Sequence, residues 1–156
     1  MSDEYGTTIF CEDIRDEIGG KKTYVGVFGA DIIINGSLPA VINQFAFCVT
    51  FLEPISDAKD PLNIKIFLPS ENDDEVALDI DLPGDRHSNA NIGEIDPTAE
   101  FLCARLSFKV IPLVITHEGY IRVRAYKGER EIRLGSIRVR VVDPIPNDLG
   151  LEELQQ

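Results

Sequence analysis

The sequence is poor in the residue types and motifs that build catalytic centres. His87 and His117 are the only histidines among 156 residues, and each lies in a predicted loop. The chain has no HExxH motif, no glycine-rich phosphate loop and no nucleophile elbow to support a Ser/His/Asp triad. The best local cluster for acid–base chemistry is His87 with Asp85 and Arg86, although a solvated loop histidine also explains it. These shortages favour a non-catalytic protein over an enzyme that uses His87 and loop carboxylates.

Cysteine is also scarce, and its spacing does not suit a disulfide framework. Cys11, Cys48 and Cys103 are odd in number and far apart, and each lies in an apolar, strand-like run. This pattern predicts buried, reduced thiols in a cytoplasmic protein. There is no C-x-x-C pair and no Cys/His pair at metal-ligand spacing, so we expect no cofactor. The acidic start, M-S-D-E, has neither the basic nor the apolar region of a signal peptide.

Basic residues are few relative to acidic ones. The chain has 15 Lys and Arg against 27 Asp and Glu, a formal net charge of −12. That balance argues against nucleic acid or an anionic membrane as the main partner. Residues 32–52 carry no charge but include Asn, Gly, Pro and Gln, which are poorly suited to a membrane span. We therefore expect a protein partner or self-association.

Helical periodicity is missing between residues 7 and 142, where apolar residues alternate with a period of two. The alternation, with turns about every ten residues, predicts an all-β fold, an antiparallel two-sheet β-sandwich of about eight strands. We expect a single domain over residues 1–142 and a flexible acidic tail over 143–156. Residues 41–53 are predicted to form a central strand with Phe45, Phe47, Val49 and Phe51 on one face and Ala46, Cys48, Thr50 and Leu52 on the other.

Residues 9–34 are predicted to form a long β-hairpin that turns at Gly19-Gly20. A two-residue or four-residue loop would place alternating charges and two aromatic rings on one exposed face, a candidate binding surface: Asp13, Arg15, Glu17, Tyr24 and Phe28. The same registers would place four aliphatic residues toward the core: Ile14, Ile18, Val25 and Val27. A three-residue loop would change this parity. The charged residues could instead form a structural ion network.

Three segments of this hairpin resemble a known family. They are C-E-D-I-R-D-E at 11–17, G-G-K-K at 19–22 and V-G-V-F-G at 25–29. Together they resemble the opening of a family of small, uncharacterised bacterial proteins, a domain of unknown function. The family has no assigned activity, cofactor or catalytic residue, so the resemblance implies no function for this chain.

Charge is unevenly distributed along the second half of the chain. Residues 71–100 contain ten acids and one base, whereas residues 105–140 contain nine bases and three acids. The last hairpin could present four arginines on one face: Arg122, Arg124, Arg138 and Arg140. We interpret them as a basic stripe for an anionic partner, which could be an acidic segment of this chain or of a neighbour. A solvated strand face that deters edge aggregation is the alternative.

The acidic segment raises the alternative of a calcium-dependent ligand- or membrane-binding sandwich. Its candidate ligands are Asp73, Asp74, Asp79, Asp81, Asp85 and Asp96. Calcium needs six to eight converging oxygen atoms, and no D-x-D-x-D-G spacing occurs, so we predict no metal site. The leading hypothesis is a non-catalytic protein-interaction module or a component of an oligomeric or phage-type assembly.

Overall fold

A computed structural model of the protein describes residues 4–72, 75–86, 96 and 98–143, which contain eleven β-strands and a short 3₁₀ helix. In chain order the strands are β1 (Tyr5–Glu17), β2 (Lys21–Val27), β3 (Asp31–Asn35), β4 (Ala40–Ile42), β5 (Phe45–Pro54), β6 (Leu62–Leu68), β7 (Glu75–Leu82), β8 (Phe101–Val110), β9 (Leu113–Ile115), β10 (Gly119–Lys127) and β11 (Arg130–Val142). The 3₁₀ helix, Ile55–Lys59, lies between β5 and β6. No helix of the described residues has the length and apolar character needed to cross a membrane.

The strands form two large sheets and one small one. The four-stranded sheet has the order β2-β1-β5-β8, the five-stranded sheet has the order β3-β11-β10-β6-β7, and β4 pairs with β9. The predicted all-β fold is confirmed. The strands outnumber the eight expected, and one pairing, β3 with β11, is parallel. After Val27 the chain leaves the β1–β2 hairpin and crosses to the other sheet, where β3 lies beside its last long strand, β11.

The two large sheets enclose one core. The inward face of β5 carries Phe45, Phe47, Val49 and Phe51, as the alternation predicts, and all four side chains are buried. The five-stranded sheet contributes Ile64, Ile66, Ile121, Val123 and Val139 to the same cluster. Burial of these side chains supplies most of the driving force for folding. The outward residues Ala46 and Cys48 lie in a second, smaller cluster with Cys11, Ile14 and Tyr24.

The three cysteines are free thiols, but their environments differ. Cys11 and Cys48 are buried, and the Tyr24 hydroxyl donates to Sγ of Cys48 over 3.4 Å. Burial raises the pKa of the Cys11 thiol, with the Asp13 carboxylate adding to that effect. Cys103 is exposed on β8, which corrects the expectation that all three are buried. It is exposed because β8 is an edge strand and Cys103 lies on its outer face, opposite Leu52.

Proline and glycine residues mark two further interruptions of the strands, one between β8 and β9 and one within β11. The predicted strand or bent pair over 100–116 is divided into β8 and β9 next to Pro112, which has no N–H for a ladder. The bulge predicted at Gly135-Ser136 lies one residue earlier, where Leu134 is the extra residue between two register pairs. The predicted long loop over 83–99 and the tail after Asp143 lie largely outside the described residues.

Candidate functional site

The opening hairpin has a register different from either one expected. Arg15 pairs with Thr23 and Glu17 with Lys21, so the turn contains three residues, 18–20. This shift moves Tyr24 opposite Ile14, and Phe28 donates its backbone N–H to the carbonyl of Phe10. The expectation that the five residues of the proposed binding surface share one face is therefore wrong. Tyr24 packs in the smaller cluster, and Phe28 packs against the main core.

The expected core face of the hairpin is also corrected. Only Ile14 is buried, whereas Ile18 is 96% exposed at the turn and Val27 is 58% exposed. Cys11 and Ile14 belong to the same cluster although they are three residues apart. A regular strand would direct them to opposite faces, so β1 is irregular between them.

The charged residues of the hairpin form a solvent-facing ion network. Asp13 accepts from Lys109 at 2.7 Å and lies 3.5 Å from Nε of Arg15, whose side chain is 65% exposed. Asp16 pairs with Lys22 at 2.5 Å. The hydrogen bond from Lys109 holds the pKa of the Asp13 carboxyl below its ordinary value. That a partner binds Asp13, Arg15 and Glu17 stays a prediction.

The predicted basic stripe lies on the outer face of the five-stranded sheet and is divided into two parts. Arg138 and Arg140 both pair with Asp31 of β3, at 2.8 and 2.9 Å. Hydrogen bonding to Arg138 lowers the pKa of the Asp31 carboxyl. These two arginines are therefore neutralised in part by a carboxylate that lies 107 residues from Arg138 in sequence.

The other part of the stripe is a groove of about 300 Å³, which we call the arginine groove. Its lining combines three guanidinium groups, one carboxylate and two aromatic rings: Phe67, Arg122, Arg124, Tyr126, Glu131 and Arg133. Glu131 lies 3.4 Å from Nε of Arg124 and accepts from the Tyr126 hydroxyl over 3.2 Å. Arg133 was not among the predicted residues. It reaches the groove because the bulge at Leu134 places it opposite Arg124.

A buried ion network lies beneath the 3₁₀ helix. Glu53 is fully buried and accepts from Arg86 through both carboxylate oxygens, at 2.9 and 2.7 Å. Lys127 donates at 2.5 Å to Glu53, at 2.5 Å to Glu4 and at 2.9 Å to the carbonyl of Asp57. Glu4 also pairs with Arg130. All three ammonium protons of Lys127 thus have acceptors, which is the condition for a buried charge to be tolerated.

The properties of this network suit a structural role better than a catalytic one. Burial alone would raise the pKa of the Glu53 carboxyl, but hydrogen bonds from Arg86 and Lys127 outweigh it and lower that pKa. Arg86 also donates to the carbonyls of Asp60 and Pro83, so it fastens the chain after β7 to the end of the 3₁₀ helix. A carboxylate held ionised and enclosed by donors is poorly suited to proton transfer.

A third feature is an apolar cleft of about 510 Å³ beside β3. Its walls are mainly aliphatic, with a carboxylate and two amides among the lining residues: Glu12, Phe28, Ile32, Ile33, Ile34, Ile42, Asn43, Gln44 and Ile111. Ile33 is 47% exposed and Ile111 is 63% exposed. Phe28, which also lines the cleft, stacks on Phe45 with the ring centroids 6.1 Å apart. Apolar walls with a few polar groups are typical of ligand and peptide sites.

The cleft was not predicted from the sequence. The run I-I-I at 32–34 is its clearest signal, because three consecutive aliphatic residues in a five-residue strand exceed what one buried face can hold. Phe28 was predicted as a binding residue and does line the cleft, but from a different face than expected.

The acidic residues considered for calcium do not converge on one site where they are described. Asp79 and Asp81 both accept from the Asn63 amide, and Asp96 accepts from Thr98. Within the described ranges no group of three or more His, Cys, Asp and Glu side chains could hold a metal ion. Asp73, Asp74 and His87 lie outside those ranges. The calcium and enzyme hypotheses stay predictions.

The described residues thus include an apolar cleft and the arginine groove, and the buried ion network shares no residue with either. Comparison with family models, with curated proteins and with solved structures gives no match. The resemblance of the opening hairpin to an uncharacterised bacterial family therefore stays a prediction.

Proposed function

We propose that this protein is a non-catalytic recognition module that binds an extended peptide segment of a partner protein along the free edge of β3. The observation that carries the proposal is that three consecutive residues of β3, Ile32, Ile33 and Ile34, all line the apolar cleft. Successive side chains of a strand point to opposite faces. A cleft that contacts all three must run along the edge of the strand.

The backbone of β3 supports binding by strand addition. Among the described strands β3 pairs only with β11, so its other edge has no strand partner there. Proteins usually protect such edges with lysine, proline or bulges. The sequence of β3, D-I-I-I-N, has neither lysine nor proline. A partner strand would gain main-chain hydrogen bonds from this edge and would place alternate side chains in the cleft.

The lining residues indicate the chemistry of the partner. Ile33, Ile42 and Ile111 suit an aliphatic or aromatic side chain. The Glu12 carboxylate, which packs over the backbone of Gly26, is exposed and suits a basic residue next to that side chain. We propose that the binding occurs in the cytoplasm, where free Cys11, Cys48 and Cys103 would stay reduced. An assembly role belongs to the same proposal if the partner segment comes from a second copy.

The test compares the proteins recovered from host extract by the wild type and by three single variants. Ile33→Lys and Ile111→Lys place a charge in the cleft, whereas Ile18→Lys places the same charge at the hairpin turn. All three positions are exposed, so we expect all variants to melt like wild type. We expect a partner to be recovered by wild type and Ile18→Lys and lost from the two cleft variants. Equal recovery by all four proteins would overturn the proposal.

Hydrogen exchange with the recovered partner tests the strand addition itself. Backbone amides of β3 that point away from β11 should exchange slowly when the partner is bound, because they then donate to its carbonyls. Unchanged exchange across residues 31–35 would refute pairing at this edge. Light scattering of the purified protein distinguishes a separate partner from a second copy.

A further inference from the structure

We propose that the arginine groove is a second binding site, for a compact dianion of the phosphate monoester class. The groove lies on the outer face of the five-stranded sheet and includes no residue of the apolar cleft. The proposal is therefore independent of the peptide-binding function.

The charge of the groove sets the charge of its ligand. Three arginines and one glutamate line it, a formal charge of +2 (3 − 1) in a chain of net charge −12. A phosphate monoester carries about −1.5 to −2 at pH 7 and so matches that charge, whereas a carboxylate matches half of it. A phosphodiester polymer carries one negative charge per phosphate. The net negative charge of the protein would repel the parts of such a polymer that lie outside the groove.

The guanidinium groups of the groove lie close together although their positive charges repel one another. Arg124 donates through Nη1 to the carbonyls of Val123 at 2.9 Å and Gly135 at 3.3 Å, which fixes its position. Burial lowers the pKa of the Arg124 guanidinium, and the positive charges of Arg122 and Arg133 add to this effect while Glu131 opposes it. An anion placed between these groups would relieve their mutual repulsion.

Glu131 marks the position that an external anion would take. Its Oε1 lies 3.4 Å from Nε of Arg124 and 4.0 Å from Nε of Arg133, distances that leave both contacts longer than a strong charge-assisted hydrogen bond. A phosphate has three terminal oxygens and could accept from several guanidinium forks at once.

The aromatic walls extend the recognition beyond charge. The Arg122 guanidinium carbon lies 5.4 Å from the centre of the Phe67 ring, and Lys65 Nζ lies 5.9 Å from that of Tyr126. Both distances are typical of cation–π interactions, and this attraction holds the flexible basic side chains near the groove. The exposed parts of these rings suit a ligand in which the phosphate is attached to a flat group.

The test titrates the full chain with inorganic phosphate and with phenyl phosphate while amide chemical shifts are followed by NMR. We expect both ligands to shift the amides of β10 and β11 that border the groove, with phenyl phosphate binding more tightly. Arg133→Met should weaken binding by about tenfold, the loss expected for one charge-assisted hydrogen bond. Arg133 is largely exposed, so this variant should keep its fold.

Two further variants make the test specific to this groove. Glu131→Gln keeps the acceptor for Tyr126 but removes the competing charge, so it should bind phosphate several-fold more tightly than wild type. Arg138→Met removes a guanidinium from the same sheet face, next to Asp31, and should leave the affinity unchanged. Equal weakening by Arg133→Met and Arg138→Met, or weaker binding by Glu131→Gln, would overturn the proposal and indicate only general attraction to a basic face.

The ligand can come from two sources, a phosphorylated small molecule or a phosphorylated side chain. A phosphotyrosine peptide titrated beside phenyl phosphate distinguishes them. Tighter binding of the peptide assigns a phosphorylated protein, and equal binding assigns a small molecule. No shift at the groove with any of the three ligands would refute the site, whatever the outcome of the experiments on β3.

Discussion

At the scale of single residues, Lys127 is a buried charge on which the stability of the fold should depend. Its ammonium is enclosed by Glu4, Glu53 and the carbonyl of Asp57. Lys127→Met removes three hydrogen bonds and leaves two buried carboxylates with fewer donors. We expect the free energy of unfolding to fall by about 3 kcal/mol or more, the range measured when one partner of a buried ion pair is removed. Urea denaturation followed by circular dichroism measures it.

Lys65→Met is the matched control for this prediction. Lys65 belongs to the same sheet and pairs with Asp79 at 3.3 Å, but both side chains are partly exposed. Water replaces the lost contact there, so the urea midpoint should change little. If the two lysine variants lose equal stability, the buried network contributes no more than a surface pair.

The buried network could have been predicted in part from the sequence. Glu53 continues the inward alternation of Phe45, Phe47, Val49 and Phe51, and Lys127 continues that of Ile121, Val123 and Ala125. Two opposite charges in phase with core positions indicate a buried pair. Arg86 could not be predicted, because no periodic pattern surrounds it in the sequence and it reaches Glu53 across 33 residues.

At the scale of elements, the register of the hairpin decides which of its side chains are buried and therefore contribute to the free energy of unfolding. Arg15 is exposed and Ile14 is buried, although they are neighbours. Arg15→Ala should therefore melt like wild type. Ile14→Ala should lose about 2–5 kcal/mol, the usual cost of truncating a buried isoleucine. Thermal melts of the two variants check this, and a large loss in Arg15→Ala would show that the ion network is structural.

The sequence predicted elements better than their faces. Alternation and turn residues located β5, β6, β7, β10 and β11 to within a few residues of their ends. The hairpin faces failed because a single extra residue in the turn reverses parity, and glycine pairs permit turns of several lengths. The apolar cleft was missed because it depends on the crossing of β3 to the second sheet, and pairing between strands so distant in sequence leaves no local pattern.

At the scale of the whole molecule, two electrostatic effects oppose each other as the pH falls. The net charge of −12 produces self-repulsion, which protonation of carboxylates would relieve and which would make the protein more stable in mild acid. The paired carboxylates act in the opposite direction. Hydrogen bonds from lysine or arginine side chains lower the folded-state pKa of Asp13, Asp16 and Asp31. Hydrogen bonds from other donors lower that of Asp79 and Asp96, and hydrogen bonds from Arg86 and Lys127 lower that of buried Glu53.

We expect the paired carboxylates to dominate. A group whose pKa is lower in the folded state stabilises the fold fully above its unfolded pKa, and that contribution is lost as the pH falls through the folded value. With ordinary values of 3.8 for aspartate and 4.5 for glutamate, stability should be nearly constant above about pH 5 and should decrease below it. Urea midpoints between neutral and acid pH measure the profile. A midpoint that rises steadily on acidification would mean that self-repulsion outweighs the ion pairs. Lys127→Met should lose less stability than wild type over this acid range, because Glu53 then lacks one of the donors that lower its pKa in the folded state.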